Sequence, residues 1–275
     1  MSNKSTANDA LISREVSDAE AAAFDLAPYL INLMWDEPFF ARVLRGITKI
    51  KTDKIPTAGV LAKDGEVKFW WNPKFLAGLG APKVKGLCKH ECYHLVFDHT
   101  TSRRRDPHIV WNYATDLAIN SLIDEAELPD GGLIPGKAFT PLTEEQRTQM
   151  GPKAAERYEL ISAKIESFPR SMHSEWYFAE LMKDPEVKEA LEGQKGMPGG
   201  KSLGDALADG DIKVDENGNL VDKDGNPVTV VPGNGSDGAG TDDHSGWDQL
   251  SDEERELVKG QIKQAMEAAV HECDN

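Results

Sequence analysis

Residues 82–99 read PKVKGLCKHECYHLVFDH. Val84, Leu87, Cys88, Cys92, Leu95 and Val96 recur close to the 3.6-residue helical period, which predicts one helix across the whole stretch. His90 and His94 stand one turn apart, about 40° from each other around the axis, so both imidazoles can reach one ion. Glu91 lies about 60° beyond His94, close enough to touch water at that ion without binding the ion itself. In such a His-Glu-x-x-His pattern two histidines hold Zn2+, an open position takes water, and the glutamate removes the water's proton as it attacks a carbonyl.

Two histidines filling a helix surface would be the plainer explanation. The helical wheel argues against it, because Leu87 falls between His94 and Glu91 in angle, and Val84 and Leu95 lie just beyond Glu91. The histidines therefore border a buried face, where an imidazole or carboxylate without a partner is costly. Cys88 and Cys92 point to the opposite side of the wheel, between Val84 and Val96, and read as packing residues.

A zinc site needs a third protein ligand. His99 lies about 160° from the mean of His90 and His94 if the helix continues, and the intervening Leu95-Val96-Phe97-Asp98 contains no glycine to turn the chain. Asp116 is better placed, on a second helix expected from Ile109 to Glu125, where Asn112, Asp116 and Asn120 form a polar stripe at i, i+4 and i+8. Ile119 and Ile123 fall within about 60° and 20° of Asp116, so that stripe is expected to be buried and to need partners. Asp116 is thus the expected third ligand and His99 the alternative, with His99 otherwise acting behind the ligands or capping the helix. Asp98 could orient an imidazole, and Tyr93, Tyr113 or His108 could help hold an oxyanion; the sequence gives none of them a direction.

Upstream, TAGVLAKDGEVKFWWNP (57–73) carries two runs rich in valine and aromatics around Lys63-Asp64-Gly65, the pattern of a β-hairpin. Its strands could offer an edge to an extended peptide, or merely cover the helices. From Asp18 to Arg45 two helices are expected, broken at Asp36-Glu37-Pro38. Residues 142–166 and 174–192 suggest two more, the second capped by Ser174. Ser251 and Glu254 open a last amphipathic helix in a capping-box pattern.

These readings divide the chain into a flexible tail (1–17), a main domain (18–192), a mobile Gly/Asp-rich linker or hairpin excursion (193–246) and a C-terminal helix (247–275). The excursion holds turn signals at Asn217-Gly218 and Asp224-Gly225. Its DENGNLVDKDGN resembles a calcium loop, but Leu220 stands where the sharp turn needs glycine and no glutamate closes it.

A net charge of −16 argues against nucleic acid or an anionic membrane as partner. No apolar run is long enough to span a membrane and the N-terminus lacks a secretory core, so the expected location is cytoplasmic. Three cysteines without a CxxC make neither a disulfide framework nor a redox pair.

In their order, TAGVLAKDGEVKFWWNPKFLAGL, HECYHLVFDH, a following arginine cluster and WNYATDLAIN resemble the predicted zincin-like metallopeptidase domain of bacteria and phages, over roughly residues 20–185. The resemblance implies a zinc-dependent hydrolase with His90 and His94 as ligands, Glu91 as general base, and Asp116 or His99 completing the site. Longer members carry a C-terminal von Willebrand factor A-type domain, of whose D-x-S-x-S motif this sequence has no copy.

The expectation is therefore an α+β, mainly helical, zincin-like domain with a small hairpin or sheet near the motif helix, acting on a peptide or protein substrate. Two rivals stand beside it. One is a scaffold in which a fully coordinated metal only staples helices together. The other is an interaction module that binds a protein partner through its acidic linker and last helix.

Overall fold

The computed structural model describes residues 16–53, 57–63, 66–99, 101–103, 105–192, 212–214, 220–222 and 251–273. The expected tail, apart from residues 16 and 17, and most of the expected excursion, including Asp224-Gly225 and the calcium-like loop apart from residues 220–222, lie outside the described residues.

The architecture is α+β and mainly helical. The N-terminal segment forms three helices where two were expected: α1 (Asp18–Ala23), α2 (Ala27–Asp36) and α3 (Pro38–Arg45). Pro28 explains the extra break, since its ring cannot follow helical residues four positions back, and Asp25 accepts the Ala27 N–H to restart the chain. A strand that the polar sequence TKIK did not announce, β1 (Thr48–Lys51), follows. The hairpin is present as β2 (Ala58–Lys63) and β3 (Glu66–Trp71), antiparallel from Ala58 opposite Trp71 to Lys63 opposite Glu66. Because β1 pairs parallel to β3, the order is β1-β3-β2, and the strand leading into the motif region is the central one. Phe69, Trp70 and Trp71 are consecutive and all buried, so this strand is covered on both faces.

Asn72 caps α4 (Pro73–Gly78) by accepting the Lys74 and Phe75 N–H groups. The motif helix α5 (Ala81–Val96) is next, and α6 (His108–Asn120) follows it. α6 is shorter than expected. Beyond it Ser121 turns its hydroxyl back to the Leu117 carbonyl, and a separate 3-10 turn (Glu125–Glu127) is capped by Asp124.

The two helices expected from 142 to 192 are four: α7 (Glu144–Met150), α8 (Pro152–Glu166), α9 (Ser174–Met182) and α10 (Pro185–Glu192). Gly151, at φ +82°, and Pro152 divide the first pair, and Pro185 opens α10 where α9 has ended. The short strands β4 (Ile212–Val214) and β5 (Leu220–Asp222) pair antiparallel; the Asn217-Gly218 signal lies outside the described residues. Ser251 and Glu254 make the expected capping box at α11 (Asp252–Cys273).

Two apolar cores result. One joins α2, α3, α4, the sheet, the Val84, Leu87, Cys88, Cys92 and Leu95 side of α5, and Val258, Ile262 and Ala269 of α11. Arg42 and Arg45 of α3 hold Glu272 of α11 at 3.0 and 2.7 Å. The other joins α6 to α8, α9 and α10. A small third cluster, Ile119, Ile123, Leu128 and Ile134 with Tyr93 and Phe97 against it, lies between α5 and α6. The candidate site sits at this junction. No helix among the described residues is long and apolar enough to cross a membrane.

Candidate metal centre

α5 is held by its polar half as well as its apolar one. Lys89 reaches Glu37 at 2.8 Å and Glu127 at 2.5 Å, and Lys85 reaches Glu127 at 2.8 Å. Burial pushes the Glu127 carboxyl up, but the bonds from Lys85 and Lys89 outweigh it and hold the group below the usual carboxylate value. Gly86 lets the helix lie directly against the Glu127 backbone.

This fixes the next turn, which carries the motif. His90 and His94 bring their Nε2 atoms to 2.9 Å from each other. Asp116 of α6 places Oδ1 3.7 Å from His90 Nε2 and 3.4 Å from His94 Nε2. These three residues form the one group among the described residues whose ligand atoms all lie within 4.8 Å of one another. The triangle is of a size that zinc fits: a point about 2.0–2.1 Å from all three atoms lies about 0.4–0.8 Å off their plane, a range that includes the offset of roughly a third of a bond length in a tetrahedral site. The surroundings are nearly dry, with His94 and Glu91 at 0% exposure, Asp116 at 3% and His90 at 7%.

His99, the alternative ligand, is elsewhere, in the place behind the ligands that the sequence also allowed it. α5 does end before it, and without a glycine. Asp98 takes the left-handed conformation at φ +57°, its N–H donating to the Leu95 carbonyl (3.1 Å) and the His99 N–H to the His94 carbonyl (3.0 Å). This is a Schellman turn, with an aspartate where glycine is usual. It sets His99 Nδ1 3.4 Å from His94 Nδ1, the side of that ring opposite Asp116, and His99 Nε2 3.0 Å from Ser174 Oγ. His99 thus backs His94, while Asp116 supplies the third convergent atom. The Asp98 carboxylate accepts the Ser102 N–H.

Ser174 also differs from expectation. The N-cap of α9 is His173, whose ring accepts the Trp176 N–H, and Ser174 is the first helical residue, buried against His99. A second residue given no specific role is Asn120, whose Oδ1 lies 2.8 Å from His90 Nδ1 while its Nδ2 donates to the Leu133 carbonyl at 2.9 Å. Its place one turn beyond Asp116 on the polar stripe was the available signal.

Cys88 and Cys92 pack in the first core and stay protonated: burial, then the nearby Glu91 charge, pushes the Cys88 thiol up to about 12, and burial drives Cys92 well above its ordinary value. Of the three oxyanion candidates, Tyr93 lies in an aromatic column between Phe40 and Phe97, with its hydroxyl pKa raised chiefly by burial. Tyr113 is part of the second core and His108 begins α6.

With this geometry established, comparison with known proteins identifies the chain's family. Residues 24–273 match the family described as "putative metallopeptidase domain", and the chain belongs to it. The match reaches past the span of the resemblance in the sequence and takes in α11. No curated protein matched the chain. No solved structure matched it either.

Proposed function

We propose that the protein is a zinc-dependent metallopeptidase in which His90 Nε2, His94 Nε2 and Asp116 Oδ1 hold the ion and Glu91 is the general base. The observation that carries this reading is the convergence of those three atoms from two helices, at separations suited to four-coordinate zinc with one position left. Zinc supplies Lewis acidity, acidifying water to a pKa of about 7 and polarising a carbonyl oxygen.

The chain's own residues supply the rest. Glu91 follows His90 on the same turn and is fully buried. Its role is to take the proton of the attacking water and give it to the departing amide nitrogen. The substrate edge falls to β2, because β3 is paired on both sides; β2 is an outer strand of the order β1-β3-β2 and packs against α5. An extended peptide added there would be held by main-chain hydrogen bonds.

The test is zinc content by mass spectrometry beside hydrolysis of an unstructured protein such as casein. Wild type should hold one zinc per chain, lost in His90→Ala and Asp116→Ala and kept in Glu91→Gln, with cleavage falling in Glu91→Gln by at least about a hundredfold. Failure of wild type to take up zinc on titration would refute the reading.

The burial of all four groups favours a second reading, in which the metal only joins α5 to α6. It gives the same zinc contents but no hydrolysis in wild type.

A further inference from the structure

We infer that Asn120 is a positioning residue: it fixes His90 in the tautomer whose Nε2 lone pair faces Asp116, and thereby sets the affinity of the site for zinc. The inference rests on the metal reading above and adds to it a residue outside the ligand set.

The hydrogen-bond network decides how the Asn120 amide lies. Its oxygen and nitrogen are nearly the same size, so their assignment rests on their partners. The Leu133 carbonyl, 2.9 Å away, accepts only from the nitrogen, which turns Oδ1 towards His90 Nδ1 at 2.8 Å. An amide oxygen only accepts, so the proton of the neutral imidazole is on Nδ1 and the lone pair is on Nε2. That Nε2 is the atom at the Asp116 and His94 corner.

The anchor is firm. Leu133 is 1% exposed and belongs to the core of α6, α8, α9 and α10, and Asn120 itself is 5% exposed. The glycine- and proline-containing loop after α6 is therefore part of the site's support. A His90 ring without this bond can take the other tautomer, placing an N–H where the lone pair must be. His94 has His99 behind it, Nδ1 to Nδ1 at a longer 3.4 Å and from a turn instead of a core. Asn120 is expected to be the stronger of the two.

Asn120→Leu keeps the number and branching of the side-chain heavy atoms and removes the acceptor, and Ser121→Ala at the same helix end is its control. The measurements are zinc affinity by chelator competition, the thermal midpoint of the zinc-free protein, and the histidine tautomers of zinc-free protein from two-bond 1H–15N spectra. The expected result is His90 protonated on Nδ1 in wild type. In Asn120→Leu the zinc Kd should rise roughly 10- to 100-fold, as outer-sphere partners typically govern, with mixed tautomers. Ser121→Ala should bind as wild type does.

His90 protonated on Nε2 in wild type, or unchanged zinc affinity in a folded Asn120→Leu, overturns the positioning role and leaves the functional reading standing. Absence of zinc uptake by wild type overturns both. If Asn120→Leu does not fold, the wild-type tautomer alone decides.

Discussion

Gly86 gives a prediction in which two effects of known sign compete. Glycine inside a helix costs about 1 kcal/mol relative to alanine, so propensity alone makes Gly86→Ala stabilising. The packing opposes this, because a Cβ there would lie 2.0 Å from the Glu127 carbonyl oxygen, 2.7 Å from its carbonyl carbon and 2.8 Å from its Cβ. None of those atoms can move aside by a rotamer change. Reaching ordinary contact requires the 3-10 turn to retreat by about 1.4 Å, which also stretches the Lys89 and Lys85 bonds to Glu127. Overpacking costs about 1–3 kcal/mol and the weakened charged bonds a similar amount, so the net loss after the propensity gain is about 1–5 kcal/mol. At about 2–4 °C per kcal/mol for a chain of this size, the melting midpoint should fall by roughly 2–20 °C. Gly260→Ala on α11 is the comparison. It is exposed, nothing lies within 4 Å of its added Cβ, and the same substitution should there stabilise by up to about 1 kcal/mol. Urea and thermal unfolding of both variants decide the matter, and a Gly86→Ala protein as stable as wild type would refute the close packing of α5 on the 125–127 turn.

Two further outcomes follow from the same structure. The exposed Cys273 should react with a thiol reagent in the native protein, whereas Cys88 and Cys92, buried and held protonated, should react only on unfolding; three fast thiols would contradict the core. The Glu127 cluster should make stability pH-dependent at both ends. A carboxyl held below its ordinary 4.5 when folded contributes fully above that value and loses its contribution as pH falls through the folded pKa. Lys85 and Lys89, raised above 10.5, contribute below that value and lose it as pH rises through theirs. Glu127→Gln should therefore have a lower urea midpoint at neutral pH and a flatter decline below pH 4.5, and parallel declines in the two proteins would show that the cluster contributes nothing.

The sequence by itself determined what periodicity can carry. It placed His90, Glu91 and His94 on one helix, put Asp116 among buried isoleucines on the next, drew the hairpin from its turn residues, and set the cysteines on a packing face. Some breaks were there to be read, at Pro28 and at Gly151-Pro152, since proline and glycine act locally. The left-handed Asp98 was not, because aspartate only tolerates a conformation that glycine adopts without cost, and the surrounding packing decided that it should.

Tertiary structure also settled the parallel pairing of β1 with β3, the replacement of Ser174 by His173 at the cap of α9, and the seat of His99 behind His94. The same holds for Asn120. A helical wheel fixes angles within one helix, but the distance between His90 and a residue of α6 depends on how Ile119, Leu128, Ile134 and Tyr93 fill the space between them. The Leu133 carbonyl that orients the amide comes from a loop without any period. Contacts between elements are set by shape and volume, and those become definite only when the whole chain is packed.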